Sequence, residues 1–251
     1  MPHAPLGSVS LYYEEHGSGG VPLLLVPGGH LTIDLNFAAV LPGLSSRRHV
    51  VAVEQQGHGR TADVDRDPTI ANLGADLAGL LDHLGLERVD VLGFSLGALA
   101  AMELAVRHPQ RVDRLVFASG FVRPGGYHAE ITDPGLWATS TRMPTEADFT
   151  AMVREHERLA PPGAAGFDAV SQKLGPHVMG FTGWPDDELT QVTARTLVMI
   201  GDHDFVTLEH AALTVELLPD ARLAVIPGAT HNGLMQRAAV VGPVVEDFLA
   251  R

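Results

Sequence analysis

The chain has 251 residues, with 17 Lys plus Arg against 30 Asp plus Glu for a formal charge of −13, and it contains no cysteine. That length suits one large core, and the acidic balance argues against nucleic acid and anionic membrane surfaces as partners. The lack of cysteine excludes disulfides, thiolate metal sites and a cysteine nucleophile.

The opening residues, Met1-Pro2-His3-Ala4-Pro5, lack a charged stretch followed by an apolar run, so no signal peptide is expected. The most apolar tract, 89–106, is interrupted by Asp90, Ser95 and Glu103 and falls short of a membrane span. A soluble cytoplasmic protein without a membrane partner is the expectation. Homodimerisation stays open.

In chain order, residues 9–13 alternate at period two and read as an edge strand. Residues 21–26, 50–53, 89–92, 115–118, 197–200 and 223–226 are short apolar runs of the kind buried on both faces in a parallel sheet. Helical periods lie between them. Asp34 is placed to cap a helix with Phe37, Val40, Leu41 and Leu44 inward. Ile70, Leu73, Leu77, Leu80, Leu81 and Leu84 recur at spacings of three and four, with Gly85 as the stop. An Ala-rich helix from residue 96 halts at His108-Pro109, and Thr207 can cap another carrying Leu208, Ala211, Val215 and Leu218. This alternation predicts a doubly wound, mostly parallel α/β sheet. Residues 121–191 break the rhythm with helical patches and no strand of core type. The expected division is a core of 1–120 and 192–251 with a helical cap, 121–191, inserted in it. Trp137, Met179, Phe181 and Trp184 of the cap read either as a local core or as the apolar lining of a substrate site.

Chemistry enters at Gly93-Phe94-Ser95-Leu96-Gly97, a Gly-x-Ser-x-Gly pattern between a strand and a helix. That context is the nucleophile elbow, in which a serine hydroxyl stands exposed on a sharp turn. The flanking glycines keep side chains out of the neighbouring strand and helix. A serine hydroxyl is unreactive unless a base takes its proton and an acid orients that base. Among thirteen histidines, His231 follows the last strand at its C-terminal end, the edge where open α/β sheets bind ligands. Asp202 and Asp204 both follow the preceding strand. Asp204 lies further into its loop and is assigned as the acid, while Asp202 is expected to bond loop amides. The loop Pro27-Gly28-Gly29-His30 offers a backbone donor at Gly29, to act with the Leu96 amide as an oxyanion hole. His30 would face either the pocket or solvent. No histidines stand at metal-ligand spacing with a carboxylate in a helix motif, so no metal or other cofactor is expected, and Glu155-His156-Glu157 reads as a solvated face.

With these residues in place, the chain resembles a small serine esterase or lactonase of the α/β-hydrolase superfamily, nearly end to end. Glu54-Gln55-Gln56-Gly57-His58-Gly59-Arg60-Thr61 is similar to the family's Asp-x-x-Gly-x-Gly-x-Ser turn, in which His58 and Arg60 would be structural. Pro27-Gly28 stands where many members have His-Gly, which removes a histidine side chain but keeps the loop's backbone role. Serine at position 95 sets the chain apart from the haloalkane dehalogenases and epoxide hydrolases, which use aspartate there. The resemblance implies a hydrolase that cleaves a carboxylic ester or lactone of a small, fairly apolar molecule through an acyl-enzyme. Carbon–carbon bond hydrolysis, haloperoxidase-like perhydrolysis, and a non-hydrolytic receptor or cyclase are the alternatives on the same scaffold.

Overall fold

In a computed structural model, which describes residues 2–250, the apolar runs pair into one sheet of eight strands among the described residues. Met1 and Arg251, the two ends of the expected core, lie outside the described residues. The strands are β1 (His3–Leu6), β2 (Val9–His16), β3 (Leu23–Val26), β4 (Val50–Val53), β5 (Val89–Phe94), β6 (Val112–Ala118), β7 (Arg195–His203) and β8 (Ala221–Thr230). Their spatial order is β1-β2-β4-β3-β5-β6-β7-β8, with β1–β2 and β2–β4 antiparallel and the remaining pairs parallel. Every residue of β3, β4 and β5 is buried, which is why these strands read as apolar runs, broken only by Asp90 in β5.

Helices cover both faces. Ile70–His83 and Leu96–Arg107 press Leu73, Leu77, Leu80, Leu99 and Met102 onto one side. Ile33–Phe37, Leu41–Ser45 and Ala238–Ala250 bring Phe37, Leu44, Val245 and Phe248 to the other. The Thr69 hydroxyl accepts from the Asn72 amide to start the first of these helices, and Gly85 follows its end at φ 66° as a left-handed stop. Three expectations need correction at the edges. The 9–13 run is not an edge strand, because β1 pairs outside it through a tight turn at Gly7. The helix expected to be capped by Asp34 is capped instead by Thr32, whose hydroxyl accepts from the Leu35 amide, and it breaks into two short pieces. Residues 223–226 are not buried on both faces: β8 is the outer strand, and Leu223 and Val225 are exposed at 42% and 37%. No helix among the described residues is long and apolar enough to cross a membrane.

Between β6 and β7 the chain forms the helices Ala129–Thr132, Glu146–Leu159, Phe167–Met179 and Asp186–Leu189. A capping box of Thr145 and Asp148 starts the second of these. This segment is fastened to the sheet layers at several points. The Trp184 indole N–H donates to buried Glu103 at 2.5 Å, Lys173 pairs with Asp63 at 2.9 Å, and Arg142 donates to the Asp204 carbonyl at 3.1 Å.

Candidate active site

Ser95 sits between β5 and the helix Leu96–Arg107 at φ 52° and ψ −117°, a conformation an L residue adopts only when its surroundings impose it. Such backbone strain costs about 1–3 kcal/mol. Three bonds hold it: the Ser95 amide donates to the Ala118 carbonyl at 2.8 Å, and the Ser95 carbonyl accepts from Ala98 and Leu99 at 2.9 and 3.1 Å. The flanking glycines are required sterically. A Cβ on Gly93 would overlap the helix backbone at Gly97 and Ala98, and one on Gly97 would overlap the Val26 and Pro27 carbonyls at the end of β3.

The loops after β7 and β8 bring two further side chains to this turn. His231 places Nε2 3.0 Å from Ser95 Oγ and Nδ1 2.7 Å from an Asp204 carboxylate oxygen. Asp204 also accepts from the Phe205 amide at 2.7 Å, the Gly201 amide at 3.1 Å and the Ser119 hydroxyl at 2.5 Å. Burial alone would raise the carboxyl pKa; the His231 ring and these donors outweigh it and hold the group below the ordinary aspartate range. Ser119, at the end of β6 with φ 55°, therefore supports the acid from a position where the sequence offers no carboxylate. Asp202 is turned away, and its carboxylate accepts from the Ala229 amide at 3.2 Å in the neighbouring strand.

The glycine loop after β3 is fixed by side chains the sequence reading passed over. The Gly28 amide donates to Asn36 at 3.0 Å, and the Gln55 amide group donates to the Pro27 carbonyl at 2.8 Å. Behind them Glu54 is fully buried and accepts from the Arg60 amide at 2.6 Å and its guanidinium at 2.9 Å. Gly29 lies against Leu96: a Cβ on Gly29 would stand 3.8 Å from that of Leu96. Neither the Gly29 nor the Leu96 amide donates to an acceptor within the chain among the described residues. Both are free for a ligand atom above Ser95.

A cavity of about 260 Å³ opens over Ser95 and His231. Its wall includes Gly29, His30 and Leu96 from the core, and Tyr127, Met152, Leu174, Val178 and Met179 from the cap segment. No Asp, Glu, Lys or Arg lines it. His30 faces this cavity at φ 62° with its ring 4.9 Å from Phe167, and burial followed by the nearby His58 and His156 rings lowers its pKa to about 4. Met179 reaches the cavity, but the other cap residues expected there do not. Trp184 is buried on Glu103 and packs on Phe181 at 4.8 Å, and neither ring lines the cavity. Trp137 is 46% exposed on the outer surface, its indole bonded to the Ile131 carbonyl at 3.0 Å. An indole N–H and an aromatic cluster both need partners, and the cap's own foundation supplied them. Tyr127, Phe205 and Asn232 line the cavity without having been singled out; their signal was adjacency to strand ends and to His231.

Similarity to known proteins extends over most of the chain. A family model described as alpha/beta hydrolase fold matches residues 21–159, more than half of the chain. A putative carbamate hydrolase RutD from Caulobacter sp. (strain K31) is 29% identical over 265 residues, covering 96% of each protein. A 2-hydroxymuconate semialdehyde hydrolase from Pseudomonas sp. (strain CF600) is 29% identical over 264 residues, covering 94% of this chain and 89% of that one. In fold, the chain superposes on a meta-cleavage product hydrolase from Pseudomonas fluorescens IP01 with a TM-score of 0.83 at 19% identity, covering 100% of this chain and 97% of that one. The chain belongs to the α/β-hydrolase family.

Proposed function

We propose that this hydrolase cleaves a carboxylic ester or lactone of a small, neutral, largely apolar molecule through an acyl-enzyme on Ser95. The observation that carries the reading is the continuous hydrogen-bonded run from Ser95 through His231 to Asp204 beneath an uncharged cavity. Ser95 Oγ attacks the carbonyl carbon while His231 Nε2 takes its proton, and Asp204 holds the imidazole's tautomer and stabilises the imidazolium. The amides of Gly29 and Leu96 receive the oxyanion, each contributing on the order of 10² to 10³ in rate. The imidazolium gives its proton to the departing oxygen, and the neutral ring then activates water to release the acid. The 121–191 segment acts as the cap that excludes bulk water from this step.

The cavity's chemistry supports a neutral substrate. An ion entering it would lose its hydration without meeting a counter-charge, at a cost of several kcal/mol (roughly). That weighs against a muconate-type anion, although the named relatives keep carbon–carbon hydrolysis as the second reading, and a neutral carbamate would follow the same acyl chemistry as an ester.

The test is a screen of purified protein against p-nitrophenyl esters of short to medium acyl chain, lactones, a neutral carbamate and a dienoate. Turnover of esters or lactones, lost in Ser95→Ala, is expected. Turnover confined to the dienoate would replace the reading with carbon–carbon hydrolysis.

A further inference from the structure

The acyl-transfer scheme leaves Tyr127 without a task, although it stands at the nucleophile. Sheet order puts β3 and its glycine loop on one side of β5, and β6, β7 and β8 on the other. Gly29 thus approaches Ser95 from one side, and Tyr127 approaches from the other with Phe205 and His231. The backbone of Tyr127 is fastened to the turn that carries Asp204. It bridges Val206 in antiparallel fashion, flanked by bonds from the His128 amide to the Phe205 carbonyl and from the Thr207 amide to the Gly126 carbonyl, both 2.9 Å. The ring meets Phe121 edge-on at 4.8 Å and Phe205 at 6.1 Å. So held, the phenol interacts with the Ser95 hydroxyl inside the cavity. Burial, then the Asp204 charge, raises its pKa above the ordinary tyrosine value, so the group is a hydrogen-bond donor near neutral pH.

We propose that Tyr127 is a catalytic residue, its hydroxyl donating a hydrogen bond to the leaving-group oxygen as the scissile bond breaks. The proposal rests on the acyl-transfer reading above. In the resting site the phenol of Tyr127 and Nε2 of His231 both meet Ser95 Oγ. Once Oγ bonds the acyl carbon, the carbonyl oxygen turns to the Gly29 and Leu96 amides, and the departing oxygen lies on the imidazole side, beside Tyr127. The carbon–oxygen bond breaks with its electron pair on that oxygen, and His231 Nε2 supplies the neutralising proton. Tyr127 keeps its own proton throughout. A donor placed there matters most when the leaving group is basic and gathers most charge.

The experiment compares kcat/KM, which reports acylation, across esters of one acyl group with p-nitrophenyl, phenyl and alkyl leaving groups. For Tyr127→Phe we expect about a threefold loss on the nitrophenyl ester and roughly 30- to 100-fold on the alkyl ester, as for one lost hydrogen bond to a charged group. Tyr127→Leu, which removes the ring as well, should show the same steepened dependence on leaving-group basicity. An equal loss across the series in an active protein overturns the role of Tyr127 alone. A wild-type protein that hydrolyses no ester or lactone overturns both this role and the reading it rests on.

Discussion

The ring of Phe205 lies flat on the imidazole of His231, with centroids 3.8 Å apart and planes within 3° of parallel. The Phe94 ring stands 4.9 Å from the same imidazole, tilted by 46°. Phe205 directly follows Asp204, so one turn delivers both the carboxylate that fixes the imidazole's tautomer and the aromatic face that fixes its plane. An imidazolium forming there is also attracted to the electron-rich ring face. Phe205→Leu should lower kcat about two- to fivefold with little change in KM, as befits a lost cation–π contact worth roughly 0.5–1 kcal/mol. An unaltered kcat would reduce Phe205 to packing.

The two aspartates at the end of β7 differ in geometry, Asp204 meeting His231 and Asp202 meeting the neighbouring strand. Asp204→Asn leaves the geometry but presents the wrong partner to Nδ1, and kcat should fall by about 10⁴, as in other such triads. Asp202→Asn touches bonds to the Gly228 and Ala229 amides and should leave kcat within a few-fold (roughly) of wild type, because those contacts lie outside the hydrogen-bonded run to Ser95. Steady-state kinetics on one ester decide between them, and the reverse ranking would transfer the acid role.

Ser119 tests whether support for the acid matters. Its hydroxyl is 2.5 Å from Asp204 and fully buried. Ser119→Ala removes one donor to a buried carboxylate, worth about 1.5–3 kcal/mol. We expect kcat to fall by roughly 10-fold and the thermal midpoint to fall by several degrees. A variant with wild-type kcat would show that the backbone donors to Asp204 suffice.

Stability should depend on acid in a defined window. Burial, the leading cause in each case, lowers the pKa of His30 to about 4, of His210 to about 4, and of His58 below its ordinary value. His210 Nε2 accepts from the Val122 amide at 3.0 Å, a bond only the neutral ring can make. Below about pH 6.5 the unfolded chain binds protons that these folded residues refuse, so stability falls as pH drops towards 4 and is regained as pH rises. Each such residue adds about 1.4 kcal/mol per pH unit to the slope within the window. Denaturant melts at pH 7 and pH 5 measure it, and His210→Gln, which cannot take up a proton, should flatten the difference. Equal stability at the two pH values would contradict the account.

Much of this arrangement was legible in the sequence because it depends on chain-local rules. The strained turn needs Gly93 and Gly97 beside Ser95, and strand ends place His231 and Asp204 on the same edge. What escaped was set by contacts distant in sequence. Ser119 reaches Asp204 across 85 positions, Trp184 reaches Glu103 across 81, and nothing local to either residue announces the pairing. The cap residues were misplaced for the same reason: apolar composition marks burial without telling which of two cores receives it. Trp184 and Phe181 went to the foundation of the cap, and smaller residues such as Leu174 and Val178 went to the cavity. The edge position of β8 was hidden too, since Leu223 and Val225 read as core strand although both are exposed.

The central claim is that Ser95 carries the acyl group, and trapping that species tests it most directly. Wild-type protein mixed with a slowly deacylated p-nitrophenyl ester, quenched in acid and examined by peptide mass spectrometry, should show the acyl mass on the peptide containing Gly93-Phe94-Ser95-Leu96-Gly97. The adduct should be absent from Ser95→Ala and should accumulate in His231→Ala only at a greatly reduced rate. An adduct on another residue, or steady ester turnover in Ser95→Ala, would contradict the account.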